Sequence, residues 1–378
     1  MKILIAPDKF KGTLSSEEAA CAVAKGLREF CPQAKIKTLV VSDGGQGFID
    51  ALEQAEPLER HFVLIPGPLD KKTRAYFALS KNGKRAYIES CHATGLHLVP
   101  LRKRNPLRAS SGGLSLLLRH ALKVRPSEIY IGLGSSATCD AGLPVARNFG
   151  FRFLDHTGRE LKGRPEELIR IKRILKPAPL KIKYPVPILY AVSDVFTPPV
   201  GQSGGVRTYT PQKGAGPVTV EQLERGMKNL ISVMQKNSRT RLSALRGGGA
   251  AGCLGLGLHF FFKARILNGS AFIFKKLKIE RLIRNSDIVI TGEGSFDPQS
   301  FQGKITGKIV RIARKHGKKV FLITGRRQIP GNVRRQIEGN FSVEALVRKG
   351  GNSSKAETRK TLQRHGKTLG KTLAAFPR

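Results

Sequence analysis

The sequence predicts an α/β protein in which a discontinuous domain, built on a doubly wound parallel sheet, carries an inserted second α/β domain of mixed sheet. Three observations lead there. Strand and helix patterns alternate over the first sixty residues, extended runs with no helix between them follow from about His61, and the alternating texture returns near Ser286. The first domain is therefore expected over residues 1–60 and 285–378, and the inserted one over residues 61–284.

The elements follow in order. Lys2–Ala6 is a short apolar strand that Pro7 ends, and a helix is expected from Ser16 to Phe30. Ser15 or Ser16 can cap that helix, Glu17 and Glu18 complement its positive end, and Ala20, Val23, Ala24 and Leu27 share one face. Ile36–Ser42 reads as the next strand, with a helix beginning near Gly47. The runs "FVLIPGPLD" and "TRAYFALSKNGKRAYIES" are extended segments broken by Pro-Gly and Asn-Gly turns, and Asn82-Gly83 is a strong hairpin signal. Glu128–Gly134 is a strand that could join either domain. Strands Asp287–Thr291 and Lys319–Thr324 flank a helix from Lys304 to His316; a strand at Phe341–Val347 and a basic helix from Lys355 to Ala375 complete the pattern.

Composition narrows the function classes. The 378 residues, 40% of them hydrophobic, can bury two cores. Lys and Arg total 67 against 27 Asp and Glu, a formal charge of +40 that raises the question of nucleic acid or anionic membrane. The bases are nonetheless spread along the chain, with only modest clusters such as "LRKRNPLR", so the expectation is an anionic small substrate, no nucleic acid and no membrane. Five scattered cysteines without metal-ligand spacing point to a reduced, cytoplasmic setting, and no apolar run is long enough for an export signal or a membrane span.

Four predicted strands end in a carboxylate, most of them beside glycine: Asp8 after "ILIAP", Asp43 in "VVSDGGQG", Asp194 in "AVSDVFTPP" and Glu293 in "DIVITGEGSFDPQS", with Asp297 just beyond. Ligands of open parallel sheets bind beyond the carboxyl ends of the strands. Carboxylates there can hold Mg²⁺ or take a proton from a hydroxyl, and phosphoryl transfer needs both. "IGLGSSATCDAG" sends a strand into Gly134, Ser135, Ser136 and Thr138, backbone and hydroxyl groups suited to phosphate, and "RGGGAAGCLGLG" is a second such loop. Lys11, Lys213, Lys304 and Lys308 can counter phosphate charge, while Arg104 and Asn105 can fork onto a substrate carboxylate. The first loop also reads G-x-G-x-x-A with Asp155 about twenty residues on, a weak dinucleotide fingerprint. Cys91-His92, at an expected strand end, would point to opposite faces and form no dyad.

In order, "IAPDKFKGTLS", "SDGGQG", "RNPLRASSGG", "IGLGSSATCDAG", "PQKGAG", "GGGAAGCLGLGL" and "DIVITGEGSFDPQSFQGK" resemble the bacterial two-domain glycerate kinases, over roughly Met1 to Gly325. The resemblance implies a Rossmann-like domain, an inserted α/β domain and a cleft between them. It further implies transfer of the γ-phosphoryl group of ATP to glycerate with Mg²⁺, usually giving 2-phosphoglycerate. On that reading Asp194 or Asp297 is the base, with Lys11 beside the reaction; Asp8, Asp43 and Glu293 position Mg²⁺. Gly134, Ser135, Ser136, Thr138 and Lys304 hold the nucleotide, and Arg104, Asn105, Gly44 and Gly45 hold glycerate. The chain departs from the family pattern at Gln46 and Phe48, where a glutamate and a threonine are usual. Two alternatives stand beside this one: a NAD-dependent enzyme built on "GLGSSA", and a catalytically impaired relative that binds polyanions through its basic surface.

Overall fold

In chain order the elements are β1 (Lys2–Ile5), α1 (Ser16–Arg28), β2 (Lys35–Thr38), α2 (Phe48–Glu53), β3 (Leu58–Pro66), β4 (Lys72–Ser80), β5 (Arg85–Glu89), α3 (Cys91–Thr94), α4 (Leu114–Lys123), β6 (Glu128–Gly132) and α5 (Leu143–Asn148). There follow β7 (Arg152–Leu154), β8 (Glu160–Leu161), β9 (Arg173–Leu175), β10 (Ile188–Ser193), α6 (Gly205–Tyr209), α7 (Pro217–Gln235), α8 (Ala250–Phe262), β11 (Arg265–Asn268), α9 (Gly269–Lys276), α10 (Ile279–Arg284), β12 (Ile288–Glu293), helix Ile305–Lys315, β13 (Lys319–Thr324), β14 (Phe341–Ala345) and helix Lys355–Ala374. The computed structural model describes residues 1–10, 13–177, 186–294, 305–324, 341–345 and 354–375. The backbone divides into one unit of Met1–Asp43, Asp50–Ala55 and Ser270–Arg378, and another of Gly44–Ile49 and Glu56–Gly269.

The first unit is built on a five-stranded sheet of order β14-β13-β12-β1-β2, parallel throughout. Every residue of β12 is buried, as near-continuous apolar runs covered on both faces should be. β2 is the exception: it is an edge strand with three exposed residues of four, and it stops at Thr38 rather than Ser42. Among the described residues its partner is β1, and the register of the two ends at Ile5 opposite Thr38. The capping of α1 is also resolved. Ser15 accepts from the Glu18 amide and the Glu18 carboxylate accepts from the Ser15 amide, a complete capping box. Ser16 is buried instead, donating to Pro7 O at 2.6 Å and accepting from Val41 N at 3.0 Å, so it ties the end of β1 to the segment after β2.

Helix Lys355–Ala374 lies against α1 at van der Waals range, made possible by glycine on both sides. A Cβ on Gly26 would stand 2.1 Å from Gln363 O, and one on Gly366 would stand 2.4 Å from Val23 O. Leu362, Leu369 and Leu373 join Val23 and Leu27 in the same core as Ile3, Ile5, Ile288 and Ile290.

The second unit contains a six-stranded mixed sheet, β11-β10-β6-β5-β4-β3. β11, β10, β6 and β5 are mutually parallel, while β4 and β3 are added antiparallel. The β4–β5 hairpin turns at Asn82-Gly83, where Gly83 takes φ +67° and the Asn82 side chain accepts from Lys84 N. The strand at Glu128–Gly132 belongs to this sheet. Leu114, Leu117 and Leu118 of α4 and Leu254 and Leu258 of α8 cover its apolar side chains. A second core gathers Leu223, Met227, Leu230 and Met234 of α7 with Phe153, Phe260 and Phe261, near a small antiparallel sheet β8-β7-β9.

Cys91 and His92 do not end a strand. β5 finishes at Glu89 and the pair opens α3, where successive side chains stand about 100° apart rather than on opposite faces. Both turn toward one oxygen: Cys91 Sγ lies 3.5 Å and His92 Nε2 3.6 Å from Glu89 Oε2.

Candidate active site

Three candidate carboxylates of the first unit stand at the carboxyl ends of three adjacent parallel strands. Asp8 follows β1, Asp43 follows the segment beyond β2, and Glu293 closes β12. The β1–β12 pairing runs on past the strands, since Asp8 N donates to Gly292 O at 2.7 Å, and so brings Asp8 beside the residue preceding Glu293. Asp8 and Glu293 are 8% and 6% exposed. Gly292 is needed because a Cβ there would meet Ile323 O at 2.1 Å. Lys9, which the sequence did not single out, donates from Nζ to Asp43 Oδ1 at 3.0 Å. Among the described residues no three His, Cys, Asp or Glu side chains gather closely enough to cage a metal ion by themselves. Mg²⁺ seldom needs such a cage, being held by one or two carboxylates together with water and substrate phosphate. All three acids offer hard oxygen donors of that kind.

In the second unit the parallel strands β5, β6 and β10 bring Glu89, the Gly132–Ser135 turn and Asp194 to one edge of the sheet. Glycine here serves close backbone approach. A Cβ on Gly132 would lie 2.4 Å from Gly44 O, one on Gly134 would lie 2.8 Å from Gly45 Cα, and Gly44, at φ +94°, sits against Val192 O. The Gly44–Gly45 turn thus lies flat on the ends of β6 and β10. Its other anchor is Glu89, 2% exposed, whose carboxylate accepts from Gly47 N at 3.2 Å and Ile49 N at 2.8 Å. Phe48 fills the space beside Gly132 and packs edge-on to Tyr87, while Gln46 is exposed. Glu89 is a fifth strand-final acid, and "YIES" displayed it as plainly as the other four.

The Gly134–Thr138 loop has an accessible side and a buried one. Gly134 is half-buried and Ser135, in the left-handed region at φ +51°, is exposed, whereas Ser136 and Thr138 face inward at 4% and 0% exposure. The second glycine-rich loop packs beneath it: a Cβ on Gly252 would fall 1.8 Å from Thr138 O. Asp140 is fully buried, accepting from Ser111 N at 2.7 Å and Gly142 N at 3.0 Å, and burial pushes its carboxyl above the usual range. It pins the "ASSGG" segment to the loop. Lys213 is buried in the same place, donating to Ser136 Oγ and Thr138 O.

Asp194, half-buried, follows Ser193, whose hydroxyl accepts from Val195 N at 3.1 Å. Arg104 is half-buried, with its carbonyl held against Gly214, and its Nε is buried with no hydrogen-bond partner among the described residues. Asn105 spends its side-chain oxygen on Leu107 N at 2.9 Å, shaping the turn that carries Arg104. Lys308 is directed to Ser270 Oγ and the Phe274 ring. Lys11, Asp297 and Lys304 lie outside the described residues. A shallow hollow of about 440 Å³ beside α7, lined in part by Val200, Lys228 and Ile231, includes none of the candidate residues.

Strand-end carboxylates and glycine-built loops on an α/β framework are the working parts of a phosphotransferase. The sequence profile of the glycerate kinase family matches residues 3–374. Glycerate 2-kinase of Escherichia coli is 36% identical over 326 residues, which span 86% of this chain and 85% of that one. Glycerate kinase of Halalkalibacterium halodurans is 35% identical over 327 residues, 85% of each chain. A crystal structure from Salmonella typhimurium LT2, of a protein assigned as glycerate kinase 2, matches with a TM-score of 0.76 at 30% identity, covering 99% of this chain and 98% of that one. The chain belongs to the glycerate kinase family, and it is a kinase whose acceptor is an alcohol group.

Proposed function

We propose that the protein transfers the γ-phosphoryl group of ATP to a hydroxyl of glycerate, giving 2-phosphoglycerate, in a cytoplasmic setting. The observation that carries this reading is the placing of Asp8, Asp43 and Glu293 at the ends of neighbouring parallel strands in a chain of this family. These three residues would hold Mg²⁺, which on binding neutralises phosphate charge. Lys9 lies near enough to Asp43 to share in that neutralisation.

On the other unit, Gly134 and Ser135 offer the phosphates the accessible side of their loop, while Ser136 and Thr138 anchor it. Arg104 meets the glycerate carboxylate: its buried Nε is an orphaned donor that a carboxylate would satisfy. Asn105 holds the turn that presents it, and Gly44 and Gly45 are assigned to the substrate's side of the site. Asp194 accepts the proton of the attacking hydroxyl, with Asp297 the other carboxylate of that role; Lys11 and Lys304 add positive charge toward phosphate. Phosphoryl transfer asks chiefly for positioning and charge stabilisation, so fixed acids, amides and one general base suffice.

The test is ADP release with D-glycerate, ATP and Mg²⁺, with the product's phosphorus position read by ³¹P NMR. Replacing Asp194 by Asn is expected to lower kcat about 10²–10⁴-fold with little change in either KM, the range for a general base. Asp297→Asn provides the comparison. An unchanged kcat in both variants removes the carboxylate base, and no glycerate-dependent ADP from the wild type removes the activity.

A further inference from the structure

Lys213 is 2% exposed, and its Nζ donates to Ser136 Oγ at 3.1 Å and Thr138 O at 2.7 Å. Burying an ammonium is costly, and the usual compensation is a carboxylate in contact. Among the described residues Lys213 has no ion-pair partner. The charged and titratable groups facing it are Asp140, Cys139 and Cys253, with Glu224 facing the two thiols. Asp140 is already engaged by the amides of Ser111 and Gly142, and Glu224 by that of Gly201. Burial lowers the Lys213 ammonium from its ordinary range, a cost that an unbranched apolar side chain such as methionine would avoid.

The cation sits against the inward-facing Ser136 and Thr138 of the loop whose outward-facing residues are Gly134 and Ser135. Three features converge on it: Gly214, at φ +93°, is held against Arg104 O and fixes the lysine's backbone; the second glycine-rich loop closes the site from below; and both acceptors belong to Gly134–Thr138. In a low-dielectric surround an ammonium with no carboxylate in contact projects its charge onto whatever occupies the loop.

We propose that Lys213 is a positioning residue for the nucleotide: it fixes the Gly134–Thr138 loop from its buried side and supplies positive potential to an anionic phosphate bound on the exposed side. This rests on the phosphate role proposed above for that loop. It differs from direct phosphate contact, because the lysine stays buried and acts through Ser136 and Thr138.

The experiment measures MgADP binding by calorimetry to the full chain, with glycerate KM read separately. Lys213→Gln keeps a donor and loses the charge, Lys213→Met loses both, and Lys213→Arg keeps the charge. Lys213→Gln and Lys213→Met are expected to weaken MgADP binding about tenfold or more, and Lys213→Arg to recover most of it, with glycerate KM within about twofold in all three. MgADP affinity in folded Lys213→Gln within about twofold of wild type overturns the proposal, as does an equal loss for nucleotide and glycerate. Should Lys213→Met fail to fold, the Gln and Arg pair decides. A wild type that does not bind MgADP ends the proposal, whereas one that binds MgADP without turning over glycerate sustains it and removes only the glycerate reading.

Discussion

Asp155 stands about twenty residues beyond the "GLGSSA" turn, where a dinucleotide-binding domain keeps its ribose acceptor. Its carboxylate is otherwise engaged. Oδ1 accepts from Thr157 Oγ1 at 2.7 Å and from the amides of Thr157 and Arg159, each at 3.0 Å, and Oδ2 pairs with Arg170 at 3.1 Å. The Thr157 hydroxyl, then the Arg159 amide and Arg170, hold it down to about 2. Because the folded state depresses this acid below its ordinary 3.8, its stabilisation is complete above that value and disappears as pH falls toward about 2. Asp155→Asn should therefore lower the urea midpoint at pH 7, by an amount that shrinks steadily as the comparison is carried below pH 4. A difference that stayed constant down the acid range would mean the carboxylate's charge is not what stabilises the turn. At this scale the sequence displayed which residue types could do chemistry but not which were already occupied: Asp155 is taken by Thr157, Arg159 and Arg170, and Asp140 and Asn105 by backbone amides, which only the folded structure reveals.

Elements were the more legible level. The capped α1, the Asn82-Gly83 hairpin and the strands at Lys2–Ile5, Ile288–Glu293 and Lys319–Thr324 each carry a local signal, and each forms. Where expectation failed, a distant partner was responsible. The β1–β2 register ends at Ile5 opposite Thr38, and Cys91-His92 open α3 directly after Glu89, whose carboxylate accepts from the Gly47 and Ile49 amides. Gly26 makes the same point quantitatively. In an isolated helix, Gly26→Ala would gain about 1 kcal/mol. Here the added Cβ would stand 2.1 Å from Gln363 O, a backbone atom that cannot swing aside, and overpacking costs about 1–3 kcal/mol. A net loss of about 1 kcal/mol is expected in urea denaturation. A stabilised variant would show that helix Lys355–Ala374 does not press on α1.

Across the whole molecule the dominant quantity is charge. A formal +40 on 378 residues is self-repulsion that salt should relieve, so raising NaCl from about 20 to about 200 mM is expected to lift the thermal midpoint by a few degrees. If the same charge served a polyanion, the protein would bind duplex DNA tightly at low salt and lose it steeply with added salt; weak retention under both conditions is the outcome that fits a kinase with dispersed bases. No helix among the described residues is long and apolar enough to cross a membrane.

By itself the sequence determined the alternation of strands and helices, the α/β class, and a set of acids placed at strand ends, because periodicity, caps and turn residues act over a few positions. It also carried the family, through motifs in fixed order. Tertiary structure alone decided that Glu128–Gly132 joins the mixed sheet, that Glu89 steadies the Gly44–Gly45 turn, and that Lys213 is buried against the Gly134–Thr138 loop rather than exposed beside it. Those outcomes depend on which backbone amide or carbonyl arrives from far along the chain, and no local pattern encodes that meeting.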